Sequence, residues 1–321
     1  MTIDIEILKP EQIDIPELVD FTMEAQEQLD EQLRCGKNRE EVEKYIHGAT
    51  KAPTFHYIYA RNEGKLVGMA GCFAYTESMV YLDGWNPLVL PGDNYEEVFI
   101  LLVSESIKHT QAIGRNRLEI FLMELTDDIR STYDRLRPFY EAGGMRRGNE
   151  WSHMVCDLTT STLEQPEIPE GFSLKPIVEV DNEEVWPCYN KTFLASGDQR
   201  YLNQTENQRR ENFDDFFDRS KTIEEEASLL LYLGDQVIGF MKINIYSIGG
   251  FVNGVGIHPD FRRRGLAKLL MTTSLVQAAQ NGMKDLVLEV DITNRQAIAL
   301  YEKLGFKKTK GSISHVWMDE P

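Results

Sequence analysis

The sequence has no apolar run approaching the roughly 18 residues that a membrane helix needs. Its opening stretch, MTIDIEILKPEQ, carries acids and no basic-then-apolar block, which predicts no secretory leader and a cytoplasmic chain. Cysteine is scarce. Cys35, Cys72, Cys156 and Cys188 lie far apart with no CxxC pair, so neither a disulfide framework nor a zinc site is expected. Basic charge is also in deficit, with 34 Lys+Arg against 52 Asp+Glu and a net charge of −18. Such a surface repels a phosphate backbone and argues against nucleic acid as a partner. It suits a cationic substrate, and equally it serves solubility. The glycine fingerprint of dinucleotide folds and the Walker loop are both missing.

What remains is an ordinary globular composition, 42% apolar over 321 residues, long enough for about two domains. The stretch TTSTLEQPEIPEG from Thr159 to Gly171 lacks apolar periodicity and reads as a linker over residues 159–170, dividing 1–158 from 171–321. The two parts repeat. Ile5–Pro10 has a counterpart in Phe172–Pro176, Gly64–Gly68 in Gly234–Gly239, and Phe139–Arg147 in Leu300–Lys308. Both parts are acidic, with 28 acids to 16 bases in residues 1–160 and 24 to 18 in 161–321.

The second part reads as a strand at 172–175, helices over 182–195 and 205–220, and strands at 228–233, 237–245 and near 252–257. A helix follows over 265–281, stopped at Gly282, then a strand at 286–290. A helix striped by Ala297, Leu300, Tyr301 and Leu304 ends at Gly305, and a final strand pair is expected to close the part. The fold class is therefore α+β, a mixed sandwich of helices on a sheet.

The chemistry concentrates in Val255-Gly256-Ile257-His258-Pro259-Asp260-Phe261-Arg262-Arg263-Arg264-Gly265-Leu266-Ala267-Lys268. A strand runs into an arginine-rich turn and then a helix, whose first N–H groups are unpaired and whose dipole favours a phosphate. A solvated basic turn is the plain alternative.

This segment resembles the pyrophosphate motif Q/R-x-x-G-x-G/A of the GNAT superfamily of acyl-CoA-dependent N-acetyltransferases, with Val255–Pro259 matching its preceding strand. A second signature appears in order as Asn294, Ala297 and Leu300-Tyr301-Glu302-Lys303-Leu304-Gly305-Phe306. The resemblance covers 171–321 well and 1–158 as a degenerate copy. It implies two tandem GNAT domains, each a mixed, mainly antiparallel twisted sheet flanked by helices. It also implies acetyl-CoA as co-substrate, no metal, and acetyl transfer to a primary amine of a small molecule by direct attack. A protein or peptide amine, or an acyl-CoA sensor without catalysis, are the alternatives.

By the same resemblance, Val255, Gly256 and Ile257 line the pantetheine arm, and the segment Arg262, Arg263, Arg264, Gly265, Leu266, Ala267 and Lys268 holds the pyrophosphate. Asn294 bonds the arm, or caps its helix. Tyr301 protonates the departing thiolate, or packs as a core tyrosine. Many relatives carry a Glu before the phosphate turn to deprotonate the amine. Asn253 stands there and cannot accept a proton at neutral pH. Glu289, on the neighbouring strand, is the substitute candidate, with an outward strand carboxylate as its plain reading.

The first part lacks these features. Asn86–Asn94 replaces the basic turn and carries Asp93, Tyr133 stands seven residues before Tyr140 where Asn is expected, and Pro138 interrupts a helix. Residues 1–158 are expected to keep the fold without acyl-CoA binding, and the chain to be a monomer of paired domains or a homodimer. Trp186, Tyr189 and Tyr201 could wall a small amine or simply pack in the core.

Overall fold

The computed structural model describes residues 3–160, 162–196, 199–202, 204–218, 220–246 and 249–319. It contains two compact units, one of Met1–Ser152 with Lys310–Pro321 and one of His153–Thr309.

The first unit runs β1 (Ile3–Leu8), α1 (Ile15–Ala25), α2 (Arg39–Ala49), β2 (Phe55–Asn62), β3 (Lys65–Ala74), β4 (Met79–Leu82), β5 (Leu88–Val89), α3 (Tyr95–Ala112), β6 (Arg117–Leu125) and α4 (Arg130–Ala142), then enters β7 (Arg146–Asp157). Strands β1 to β4 pair antiparallel in sequence order, and β6 joins parallel to β4. Asp14 and Asn38 cap α1 and α2 by accepting the backbone N–H three residues on, which is why those helices begin there. Pro138 sits inside α4, four residues before its end.

The second unit runs β8 (Phe172–Pro176), α5 (Asn182–Leu194), α6 (Gln199–Leu202), α7 (Glu206–Phe216), β9 (Leu229–Leu233), β10 (Gln236–Tyr246), β11 (Gly249–Ile257), α8 (Leu266–Gln280), β12 (Asp285–Asp291) and α9 (Arg295–Lys303), then enters β13 (Lys307–Met318). The order repeats that of the first unit, a tandem arrangement of a mixed, largely antiparallel sheet flanked by helices. Alternation along the strands sorts the core into two layers. Leu229, Leu231, Met241 and Ile243 pack with Leu270 and Leu275 of α8 and with Leu286, Leu288 and Val290. Leu230, Tyr232 and Phe240 face the other way, onto Val185, Cys188 and Tyr189 of α5 and Phe213 and Phe217.

Two findings differ from the sequence reading. The expected final strand pair is one twelve-residue strand, β13, in which Gly311 passes close to the carbonyls of Leu125 and Trp151. The compact units also divide the terminal strands. Residues Gly311–Met318 pair antiparallel with Leu125–Arg117 inside the first unit, while Met154, Cys156 and Leu158 complete the apolar core of the second.

Candidate active site

The cleft of the second unit begins where two strands part. Strand β11 pairs parallel with β12 only at Gly250–Leu286 and Phe251–Val287. Beyond those pairs β11 stays bonded to β10 on its other edge as far as Ile257. His258 N donates to Ile238 O, so the alternation of an antiparallel ladder turns Ile257 N–H and the polar groups of Val255 toward the open edge. Ile257 O is taken up by Arg262 Nε at 3.0 Å, which leaves its N–H for a ligand.

The divergence has a local cause. Lys242 opposes Gly254 but Ile243 opposes Val252, so Asn253 is the extra residue of a β-bulge. A bulge increases twist and bends its strand, here away from β12. Gly256 adds a packing constraint, since a Cβ there would lie 2.6 Å from Thr192 and 2.7 Å from the Phe240 ring. Helix α5 rests directly on this strand because the glycine leaves the space.

The turn after β11 is shaped by its backbone. Arg263 (φ 62°) and Gly265 (φ 77°) both adopt the left-handed conformation, and Gly265 opens α8 without a capping side chain. The first bond within the helix is Leu269 N to Gly265 O at 3.0 Å. The N–H groups of Leu266, Ala267 and Lys268 therefore precede the helical ladder and face the turn, and no acid lies in the first turn to neutralise them. Arg263 and Lys268 are exposed beside them.

The three arginines have different surroundings. Arg262 donates to Ile257 O, Ala195 O at 2.9 Å and Thr192 O at 2.9 Å, so its guanidinium ties the end of β11 to the carboxyl end of α5. Arg264 reaches Asp260 O at 3.2 Å and lies over the Phe261 ring. Arg263 projects into solvent at the helix mouth.

Asn294 caps α9, accepting Ala297 N–H with Oδ1 at 3.2 Å, and its amide nitrogen stays on an exposed side chain. Two turns on, Tyr301 is 8% exposed within the α8–α9 core layer. Burial pushes its phenol up to about 12, so it holds its proton throughout the physiological range.

On β12, Leu286, Leu288 and Val290 face the α8 layer, so Glu289 projects from the opposite face. It is two residues past the last paired residue, Val287, just as Asn253 is two past Phe251. Glu289 Oε1 lies 2.8 Å from Nε2 of His153, a nearly buried residue at the start of the second unit. The sequence reading missed this histidine, because only strand pairing across more than a hundred residues brings it to β12.

Lys242, opposite the bulge, is 2% exposed, donates to Phe216 O at the end of α7, and sits over the Phe216 ring. Burial lowers its ammonium to about 8. Trp186, Tyr189 and Tyr201 pack in the aromatic core, with Tyr189 against Phe213 at 5.1 Å and Phe240 at 5.5 Å. The acidic runs at 127–128 and 224–226 lie outside this cleft's named groups, although Glu224 Oε1 accepts from Asn281 at 2.6 Å. Among the described residues no cluster of three or more His, Cys, Asp or Glu could hold a metal, and no helix is long and apolar enough to cross a membrane.

The same positions in the first unit are built otherwise. Every residue of β4 pairs parallel with β6, from Met79–Arg117 to Leu82–Ile120, while the β5 that follows pairs with β3 alone, so the strands part there too. Helix α3 begins with Glu96 and Glu97 in its first turn. Tyr140, the counterpart of Tyr301, is fully buried, donates to Asn86 O at 2.7 Å and stacks on His315.

The family model described as the acetyltransferase (GNAT) family matches residues 179–306. Mycothiol acetyltransferase of Streptomyces coelicolor is 25% identical over 264 residues, 81% of this chain and 79% of that protein. The mycothiol acetyltransferase of Thermobispora bispora is 30% identical over 172 residues, 51% of this chain and 56% of that protein, so the chain spans about half of it. Among solved structures, a tandem GNAT protein from the clavulanic acid biosynthesis pathway aligns with a TM-score of 0.56 at 15% identity, covering 100% of this chain and 99% of its own. A GCN5-related N-acetyltransferase from Sphaerobacter thermophilus aligns at 0.58 and 18% identity, covering 99% and 96%. These last two similarities are of fold.

Proposed function

We propose that this chain, an acyltransferase whose second half carries a GNAT acetyltransferase domain, transfers an acetyl group from acetyl-CoA to a primary amine of a small molecule. The observation that carries the reading is the parting of β11 and β12 beside the uncapped start of α8. An extended amide-bearing arm fits the open strand edge, and a pyrophosphate fits the free N–H groups of 266–268. Arg263 and Lys268 add charge, Arg264 borders the same turn, and Arg262 fixes its shape from behind. Asn294 can offer its amide nitrogen to the arm while its oxygen caps α9.

In the reaction, Glu289 takes a proton from the incoming ammonium, with His153 Nε2 packed 2.8 Å from its Oε1. The freed amine attacks the thioester carbon. Ile257 N–H stabilises the developing oxyanion, and as the C–S bond breaks the Tyr301 hydroxyl donates a hydrogen bond to the departing sulfur, which takes up the proton the nitrogen loses as the amide forms. A phenol near 12 is a weaker acid than a thiol, so Tyr301 acts chiefly by donating a strong hydrogen bond as charge grows on sulfur. Asn253 at the bulge contributes strand geometry and a neutral amide next to the amine.

The first unit, with an acidic helix start and the Tyr140 hydroxyl spent on Asn86 O, contributes no acyl-CoA site on this reading. Thiol release measured on a panel of small amines tests the proposal. Turnover that falls in Tyr301→Phe and Glu289→Gln supports it, and unchanged turnover in both removes the assigned machinery.

A further inference from the structure

The first unit holds an open surface depression of about 660 Å³ beside α2, β2 and β3, remote in sequence from every group assigned above. Phe55, Phe73 and Tyr45 supply its aromatic surface, and Asp83, just past β4, supplies the acid. Phe55 lies 6.3 Å from Phe73 and 4.9 Å from Tyr57, so rings cluster on one side of the depression.

Asp83 is unusually placed. The Tyr45 hydroxyl donates to its Oδ2, its main-chain N–H is spent on Gly71 O, and the groups around its carboxyl are neutral acids. Burial holds its carboxyl above the usual carboxylate range. Burial, with the Asp83 charge next, pushes the Cys35 thiol up to about 11. No basic side chain among the described residues pairs with Asp83, although Lys44 lies exposed on the wall contributed by α2. The other acid there, Glu41, is occupied, accepting Lys37 N–H at 2.9 Å and the Asn38 amide at 3.1 Å.

A half-buried carboxylate without a counter-ion gains from a cation that can shed its water. Aromatic faces attract the same kind of group. We propose that this depression binds a small organic monoammonium, with its N–H groups on Asp83 and its apolar body against Phe55 and Phe73. Lys44 on the wall opposes a second positive charge, which favours a monoamine over a polyamine. The site is independent of acetyl transfer in the second unit, since its residues all lie between 35 and 83.

Calorimetric titration of the full chain with benzylammonium, and with benzyl alcohol as the uncharged analogue, tests the site. We expect benzylammonium to bind with a Kd of about 1 mM or tighter, benzyl alcohol at least tenfold more weakly, and Asp83→Asn to lose about tenfold in affinity. Tyr45→Phe, which keeps the ring but frees the carboxylate of its hydrogen bond, reports on the same site if Asp83→Asn fails to fold. Its affinity for benzylammonium should change while that for benzyl alcohol does not. Equal binding of the charged and neutral ligands, no wild-type binding at about 10 mM, or variants that bind as wild type would each overturn the proposal.

Discussion

Replacing Arg262 with alanine should act through folding stability before it acts through ligand charge. Its guanidinium makes three hydrogen bonds to main-chain carbonyls, two of them partly buried. Charge-assisted bonds of this kind contribute about 1–2 kcal/mol each when partly buried and less when exposed, and loss leaves Thr192 O and Ile257 O without that donor. The sum is about 2–4 kcal/mol, which for a unit of this size lowers Tm by roughly 5–12 °C. Trp186 is the one tryptophan within 153–309 and sits on α5, the helix that Arg262 holds. In a Trp85→Phe/Trp151→Phe/Trp317→Phe background its fluorescence follows that unit's unfolding directly. The same measurement on Arg263→Ala, an exposed residue, should shift by no more than about 0.5 kcal/mol. An Arg262→Ala variant as stable as its parent would refute the assignment of Arg262 as a tie between strand and helix.

Other consequences concern chemistry and pH. Tyr301→Phe should lower kcat by about 100-fold with KM little changed, read in steady-state thiol release. His153→Ala should lower kcat less than Glu289→Gln does, because its part is to pack beside Glu289; an equal or larger loss would make histidine the primary base. Burial holds His315 near 4 in the folded chain, so below about 6.5 the unfolded chain takes up a proton that the folded one refuses. Stability of the first unit should therefore fall as pH drops from 6.5 to 4, and His315→Phe should flatten that slope in denaturant titrations. Lys242 is lowered to about 8, so its charge is a burden below that pH, and stability relative to Lys242→Met should rise from pH 8 toward 10.

Element order and the arginine turn were legible in the sequence because they are local. Apolar spacing of 3.6 in Leu266–Val276 and the branched strand at 286–290 state their own conformation. The pairing of strands was not legible. Nothing near Gly311 says that its strand continues to β6 nearly two hundred residues earlier, and nothing near His153 says that it meets Glu289. Arg262 shows the same limit within a motif. Three adjacent arginines look alike in sequence, and only the carbonyls at the end of α5 single out one of them. Asn253 was read as a lost base, whereas its place as the extra residue of a bulge gives it a part in opening the cleft.

The central claim is one acyl-CoA cleft, between β11 and β12 of the second unit. Calorimetric titration of acetyl-CoA into the wild type and Gly265→Asp tests it most directly. A Cβ at Gly265 meets no atom within 4 Å but sits at φ 77°, which costs about 1–2 kcal/mol, so the variant should fold with reduced stability while its carboxylate opposes the pyrophosphate at the start of α8, and Gly265→Asn, with the same strain and no charge, is the control. Binding at a single site, lost in Gly265→Asp, is the predicted result. Two sites per chain, or a variant that binds acetyl-CoA as the wild type does, would contradict the account.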